Sequence, residues 1–427
     1  MPISNVAFIF IFLIPYLALS LHPLDLHLFD SAEFFWALKN SLIQAFGTSI
    51  LGLSVSYVMA LGLNGSRYKN LFELLLVMTS LTPVLLSILL FMHWVKPFPF
   101  GHTGVILIQV FVFSGLTCVS VARVMENKLS SYADMAYIYG LNKLRFQGMC
   151  FPIIKKDLLQ IFLSLFVSSF ASFTIPVMAG GGTGTNLEVL IFEKFRNEST
   201  LGFSISLGWM QLFLLMGLGF FLKPADRAFR RIRQTQVNSP LLLKSKTGLL
   251  VLIFYLGFFW LGTLLAVIQG VYAILLHRSV ISWAEILSLI LPSLSMALAV
   301  GFATFALCFV FGWIFISGTL DRFLTCYISP SQALMGLGGI LLIYNLDVSP
   351  VVLYFLFLVL MFLPTLYRML LQVRVRELQT QKTMAYLLGA EPLLIFRKIV
   401  YPQLRSPALF CGFVAAVWTL GDFALAR

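Results

Sequence analysis

The chain is short of charge. Of its 427 residues, 11% are Asp, Glu, Lys or Arg, against 59% hydrophobic, and the mean hydropathy is +0.95. A soluble domain is roughly a quarter charged, so this composition argues against one. Acidic residues are the scarcer sign, 17 against 29 basic, for a net charge of +12. That excess does not point to nucleic acid, because the basic residues gather in a few loops between apolar runs. Cysteine is also scarce. Cys118, Cys150, Cys308, Cys326 and Cys411 lie in or beside apolar stretches, and no C-x-x-C pair suggests a zinc site or a disulfide framework. A G-x-x-x-x-G-K-[ST] phosphate loop is missing. The run Gly180 to Gly184 lacks the lysine and follows an apolar span, so it reads as a loop. Alternating strand-like segments are absent, which disfavours an outer-membrane barrel. The five histidines fall near predicted membrane ends. His22 and His27 are near enough in sequence to pair on a metal, but histidines at a membrane interface are commonly just that, and no metal site is expected.

What is present is a series of apolar runs about 20 residues long, the length of a bilayer-crossing helix. They predict an all-α polytopic membrane protein with about 11 transmembrane helices. These lie near 5–22, 38–63, 71–93, 103–124, 156–179, 199–222, 247–276, 285–317, 323–345, 349–373 and 405–426. No Lys or Arg precedes the first run, which is also long for a signal peptide. It reads as a retained helix. Arg67, Lys69, the linker residues Lys223 to Lys246 and Arg322 fall on one side if the helices alternate. That side is cytoplasmic by the positive-inside rule, with the N-terminus.

One polar segment occurs twice. The first copy reads Asp134-Met135-Ala136, three residues, Gly140, and on to Phe151-Pro152. The second reads Thr383-Met384-Ala385, three residues, Gly389, nine residues, Ile399-Val400-Tyr401-Pro402. Both fall on the basic side. The first copy is one residue short between its glycine and its proline, and neither begins with Glu. Ala136 with Gly140, and Ala385 with Gly389, are small residues at i and i+4, so each segment is expected to lie closely against another protein. Pro152 and Pro402 are expected to end each loop and open the next membrane helix. Further landmarks repeat: Asn40-Ser41-Leu42 with Pro292-Ser293-Leu294, each expected to open a helix, and Phe170-Ala171-Ser172-Phe173 with Leu420-Gly421-Asp422-Phe423. The expectation is two parallel repeats, 1–222 and 247–427, joined by a cytoplasmic basic linker at 223–246. The second repeat lacks a counterpart of 180–222 and is read as C-terminally incomplete.

Asp422 is the one carboxylate well inside a predicted span, and Ser172 is its counterpart. An intramembrane charge costs about 2.5–3.5 kcal/mol on insertion scales, so it faces an interior or water. Two readings stay open: a substrate path or gate, or a helix end at the interface, where an aspartate is cheap.

The two motif segments have the spacing of the EAA loop of ABC importer permeases. Together with the Asn-Ser-Leu landmark, Phe170 to Phe173 followed by three glycines and Glu188, and Leu420 to Phe423, the chain resembles the fused permeases for thiamine and ferric iron import. The resemblance runs over nearly the whole chain, with the thiamine branch favoured. It implies a multi-pass protein of the bacterial inner membrane whose loops receive two cytoplasmic ABC ATPase subunits. A periplasmic substrate-binding protein delivers the solute. The coupling residues it implies are Asp134, Ala136, Gly140, Pro152, Thr383, Ala385, Gly389, Ile399 and Pro402. The chain itself would bind no cofactor and catalyse nothing; ATP and magnesium would sit on the ATPase. The rivals are a secondary transporter, which needs more intramembrane charge than Asp422, and a membrane enzyme, which needs clustered His, Asp or Glu.

Overall fold

The computed structural model describes residues 31–196, 200–221, 245–276, 283–314 and 349–421, with scattered positions in 9–20 and 320–342. Every regular element among them is helical. In lipid the backbone must satisfy its own hydrogen bonds, and a helix does so within one segment.

The first half contains α1 (Ala32–Gly65), α2 (Lys69–Leu81), α3 (Val84–Trp94), α4 (His102–Ile138), α5 (Lys143–Phe170), α6 (Thr174–Ala179), α7 (Leu187–Phe195) and α8 (Leu201–Phe221). The second contains α9 (Lys246–Leu276), α10 (Trp283–Trp313), α11 (Pro350–Leu366), α12 (Gln372–Leu387), α13 (Pro392–Ile395) and α14 (Tyr401–Leu420). Among the described residues, five stretches are long and apolar enough to cross a membrane: all of α1, His102–Ser130 of α4, Leu201–Gly219 of α8, Lys246–Tyr272 of α9 and Ile290–Trp313 of α10. The molecule is a multi-pass helical membrane protein.

Several boundaries differ from the sequence reading. The span expected at 71–93 is two helices, α2 and α3, bent by 95° at Pro83, which has no N–H to continue the ladder. The span expected at 156–179 breaks after Phe170. Asn40-Ser41-Leu42 opens nothing. It lies inside α1, which starts at Ala32 with Ser31 accepting from the Phe34 N–H at 3.3 Å. Pro292 likewise lies inside α10. The runs at 5–22 and 323–345 lie mostly outside the described residues, as do the linker and Asp422.

The one-residue difference between the motif copies has a structural form. α5 has 28 residues. Its counterpart runs without a break through α13, a five-residue π segment (Phe396–Val400) and α14, of 4, 5 and 20 residues, one more in total. α4 has 37 residues. Its counterpart is α11, a π segment (Tyr367–Leu371) and α12, of 17, 5 and 16 residues, again one more. A π turn holds one extra residue without shifting the faces on either side. Each extra residue of the second half is therefore absorbed where it occurs.

The two halves share helices. α9, although C-terminal to the linker, packs on α1. A Cβ on Gly62 would lie 2.2 Å from the Gly248 carbonyl carbon, and one on Gly248 2.3 Å from the Val58 oxygen, so the two backbones touch at paired glycines. The Ser245 N–H also donates to the Leu61 carbonyl at 3.0 Å. Conversely, Phe12, Tyr16 and Leu19 are buried in the second-half core with Leu324, Met335 and Phe357.

Candidate functional site

The two motif segments end α4 and α12, and they end them identically. The Gly140 N–H donates to the Tyr137 carbonyl and the Leu141 N–H to the Ala136 carbonyl, both at 3.0 Å. The Gly389 N–H donates to Tyr386 and the Ala390 N–H to Ala385, again at 3.0 Å. This is the Schellman cap, whose closing residue is left-handed. Gly140 has φ +67° and Gly389 φ +78°. The Ala-x-x-x-Gly spacing is therefore a helix stop rather than a flat helical face, which corrects the reading above. Ala136 is buried within the chain and Ala385 half-buried; each supplies the carbonyl that closes its cap.

Two residues beyond each glycine the chain re-enters a helix with the same geometry, at Asn142 (φ −66°, ψ 145°) and Glu391 (φ −64°, ψ 145°). Pro152 and Pro402 therefore end no loop. Pro152 is an exposed residue inside α5. Pro402 follows the second π segment, which also holds Ile399.

The turns expose apolar side chains. Ile138 and Tyr139, just before Gly140, are 81% and 82% exposed, and Leu387 and Leu388, just before Gly389, 82% and 87%. Arg145, Lys155 and Lys156 are exposed nearby on α5, as are Arg397, Lys398 and Arg405 in the second half. Thr383 is exposed and donates to the Gln379 carbonyl at 2.9 Å. Asp134 lies on α4, in its last turns.

Both segments are anchored inward. In the first half Lys69 pairs with Glu126, and Arg123 with Glu73 at 3.6 Å, joining α2 to α4. In the second, Asp321 accepts from the Tyr367 hydroxyl at 2.9 Å, from Gln372 Nε2 at 3.0 Å and from Arg376. Lys382 is fully buried and donates to the Gly312, Trp313 and Ile314 carbonyls at 2.9, 2.5 and 3.3 Å. Burial pushes its ammonium down to about 8.

Ser172 sits at the break between α5 and α6, half-buried. Its carbonyl accepts from Asn186 Nδ2 at 2.7 Å. The glycine run that follows is clamped, not a free loop. Asn40 Nδ2 donates to the Thr185 carbonyl at 2.9 Å, Gln44 Nε2 to the Gly184 carbonyl at 2.7 Å, and the Leu187 N–H to Ser41 Oγ at 2.9 Å. Deeper in, Gln109 Oε1 accepts from Thr48 Oγ1 at 2.7 Å and Ser169 Oγ at 2.5 Å. Glu188, in the first turn of α7, lies outside the spans expected from the sequence. It is fully buried and accepts from Gln211 Nε2 at 2.6 Å. The signal lay in α1, where Asn40, Gln44 and Thr48 form an i, i+4, i+8 polar stripe in an apolar run, which marks an interior face. Gly421, which precedes Asp422, packs on Pro83; an added Cβ would come within 2.2 Å of it.

Residues 52–223 match the family described as binding-protein-dependent transport system inner membrane component. The matched stretch runs from within α1 to the end of α8 and includes the first capped turn and the clamped glycine run. The family is one of transport components of the inner membrane, and the match covers less than half of the chain. No curated protein and no solved structure matches the chain.

Proposed function

We propose that the chain is the permease subunit of an ATP-driven importer of the bacterial inner membrane, with both halves of the translocation pathway in one polypeptide. The observation that carries this reading is the pair of identically capped turns, each presenting two apolar residues more than 80% exposed. Exposed apolar clusters rimmed by charge are protein-interaction surfaces. Two of them on repeated elements suit two copies of one partner. On this reading each turn receives one cytoplasmic ATPase subunit, and closure of the ATPases rocks the halves between inward- and outward-facing states. A periplasmic binding protein delivers the solute. Thiamine is favoured, on the resemblance around Phe170 to Glu188, with ferric iron as the alternative. Ser172, the clamped run and Asp422 belong to the path or gate.

Tyr139→Asp and Leu388→Asp test the docking. Both side chains are exposed, so insertion is expected to be unchanged, while co-purification of the co-expressed ATPase falls about tenfold or more, as for a truncated interface anchor. Full retention of the ATPase by the double variant refutes the reading. Uptake of labelled thiamine against chelated ferric iron by the intact system decides between the substrates.

A further inference from the structure

We propose that Lys382 is a positioning residue that ties the second motif segment to the end of α10, so that segment and spanning helix move as one body. The last carbonyls of a helix have no partner within it. Here the carbonyls of Gly312 and Trp313, the last two residues of α10, and of Ile314 just past its end all face one ammonium, which carries three N–H donors and no acceptor. The negative end of the 31-residue α10 adds to the attraction.

The position makes the choice of lysine informative. Leu378, Lys382 and Ala385 lie on one face of α12, and Leu129, Ala133 and Ala136 on the matching face of α4. Apart from half-buried Ala385, all six are buried. Lys382 thus replaces the alanine of an apolar stripe, and the Ala133 methyl can make no such bonds. Packing did not require the lysine, because Ala133 fills its site fully buried. Nor is it there for solubility, because its amine points inward. Burial holds its affinity for the proton well below that of a lysine in water, so the ammonium is placed there against its solvation. An apolar replacement leaves those carbonyls without this donor, at a cost in stability that falls where the segment meets α10. A bond set present in one half and missing at the matching site of the other means that the two segments grip the membrane helices differently.

The consequence for transport rests on the permease reading above; the tie itself does not. Lys382→Met in the full chain, in lipid nanodiscs, tests the tie by amide hydrogen exchange. The thermal midpoint is expected to fall modestly, and exchange at 383–391 to quicken about tenfold, as for loss of a charged hydrogen-bond set, with α14 unchanged. Unchanged exchange at 383–391 overturns the proposal. So does exchange raised throughout, α14 included, which is the mark of a merely structural lysine. Lys382→Leu serves if the methionine variant does not insert. In the complex with the co-expressed ATPase, ATP hydrolysed per solute imported is expected to rise several-fold in Lys382→Met with the ATPase still bound; an unchanged ratio refutes the transmission. If the wild-type complex imports no solute, the permease reading fails while the exchange measurement still decides the tie.

Discussion

Gly140 and Gly389 are the residues at which side-chain chemistry is most constrained. A β-branched residue in the left-handed region costs on the order of 1–2 kcal/mol or more. Nothing lies within 4 Å of a Cβ added at either glycine, so the strain is purely in the backbone. Gly140→Val and Gly389→Val are expected to insert normally and lose most uptake, because the exposed pair before each glycine is re-aimed; undiminished uptake in reconstituted vesicles contradicts this. Gln109→Leu acts elsewhere. It leaves the Thr48 and Ser169 hydroxyls without their shared acceptor, which costs about 1–3 kcal/mol, and the thermal midpoint in detergent should fall accordingly. Lys382 adds a pH signature. Its proton affinity is lowered on folding, so between about 8 and the ordinary lysine range the unfolded chain holds the extra proton. Stability should rise with pH across that window, and Lys382→Met should lose that part of the slope. At this scale the glycines are legible in sequence from their spacing but their role is not, because a helix stop and a helical face share the same i, i+4 signature. Lys382 was visible only as one basic residue among several. Its burial depends on α10, which is distant in sequence.

The π segments carry the argument at the scale of elements. Because Phe396–Val400 absorbs one residue locally, Ile395 before it and Val400 after it are both buried, as are Phe146 and Cys150 in α5. Deleting Arg397 should convert the segment to plain α-helix, and the variant should insert and bind the ATPase normally. Deleting Leu158 from α5, which has no such slack, turns the rest of the helix by about 100° and should abolish stable expression. A loss of expression equal to that of the Leu158 deletion contradicts the first expectation. The sequence disclosed the extra residue as a mismatch in spacing. It could not disclose its form, since a loop insertion reads the same way. The helices were legible as apolar runs. Their breaks at Pro83 and after Phe170 were not, because apolarity continues across both.

At the scale of the whole molecule, the charge asymmetry of the sequence predicts that Gly181 and the linker lie on opposite sides of the membrane. Reporter fusions at Gly181 and Asn238 should therefore give opposite signals, and matching signals would refute the orientation. The pair of matching motif segments was legible, but the packing of α9 on α1 was not, because nothing in a linear sequence says which distant helix a span will meet. That packing bears on how the protein is made. As the ribosome proceeds, α9 emerges to find its seat at Gly62 already built. The segment holding Phe12, Tyr16 and Leu19, made first, must wait for Leu324 and Phe357 before it is covered. Its exposed stage is long, and an insertase or chaperone has most to protect there. The same arrangement makes the polypeptide a lock with two keys. If the chain is cut in the linker and its two parts are co-expressed, each still carries a helix that the other requires, and the fragments should find one another in the membrane and purify together.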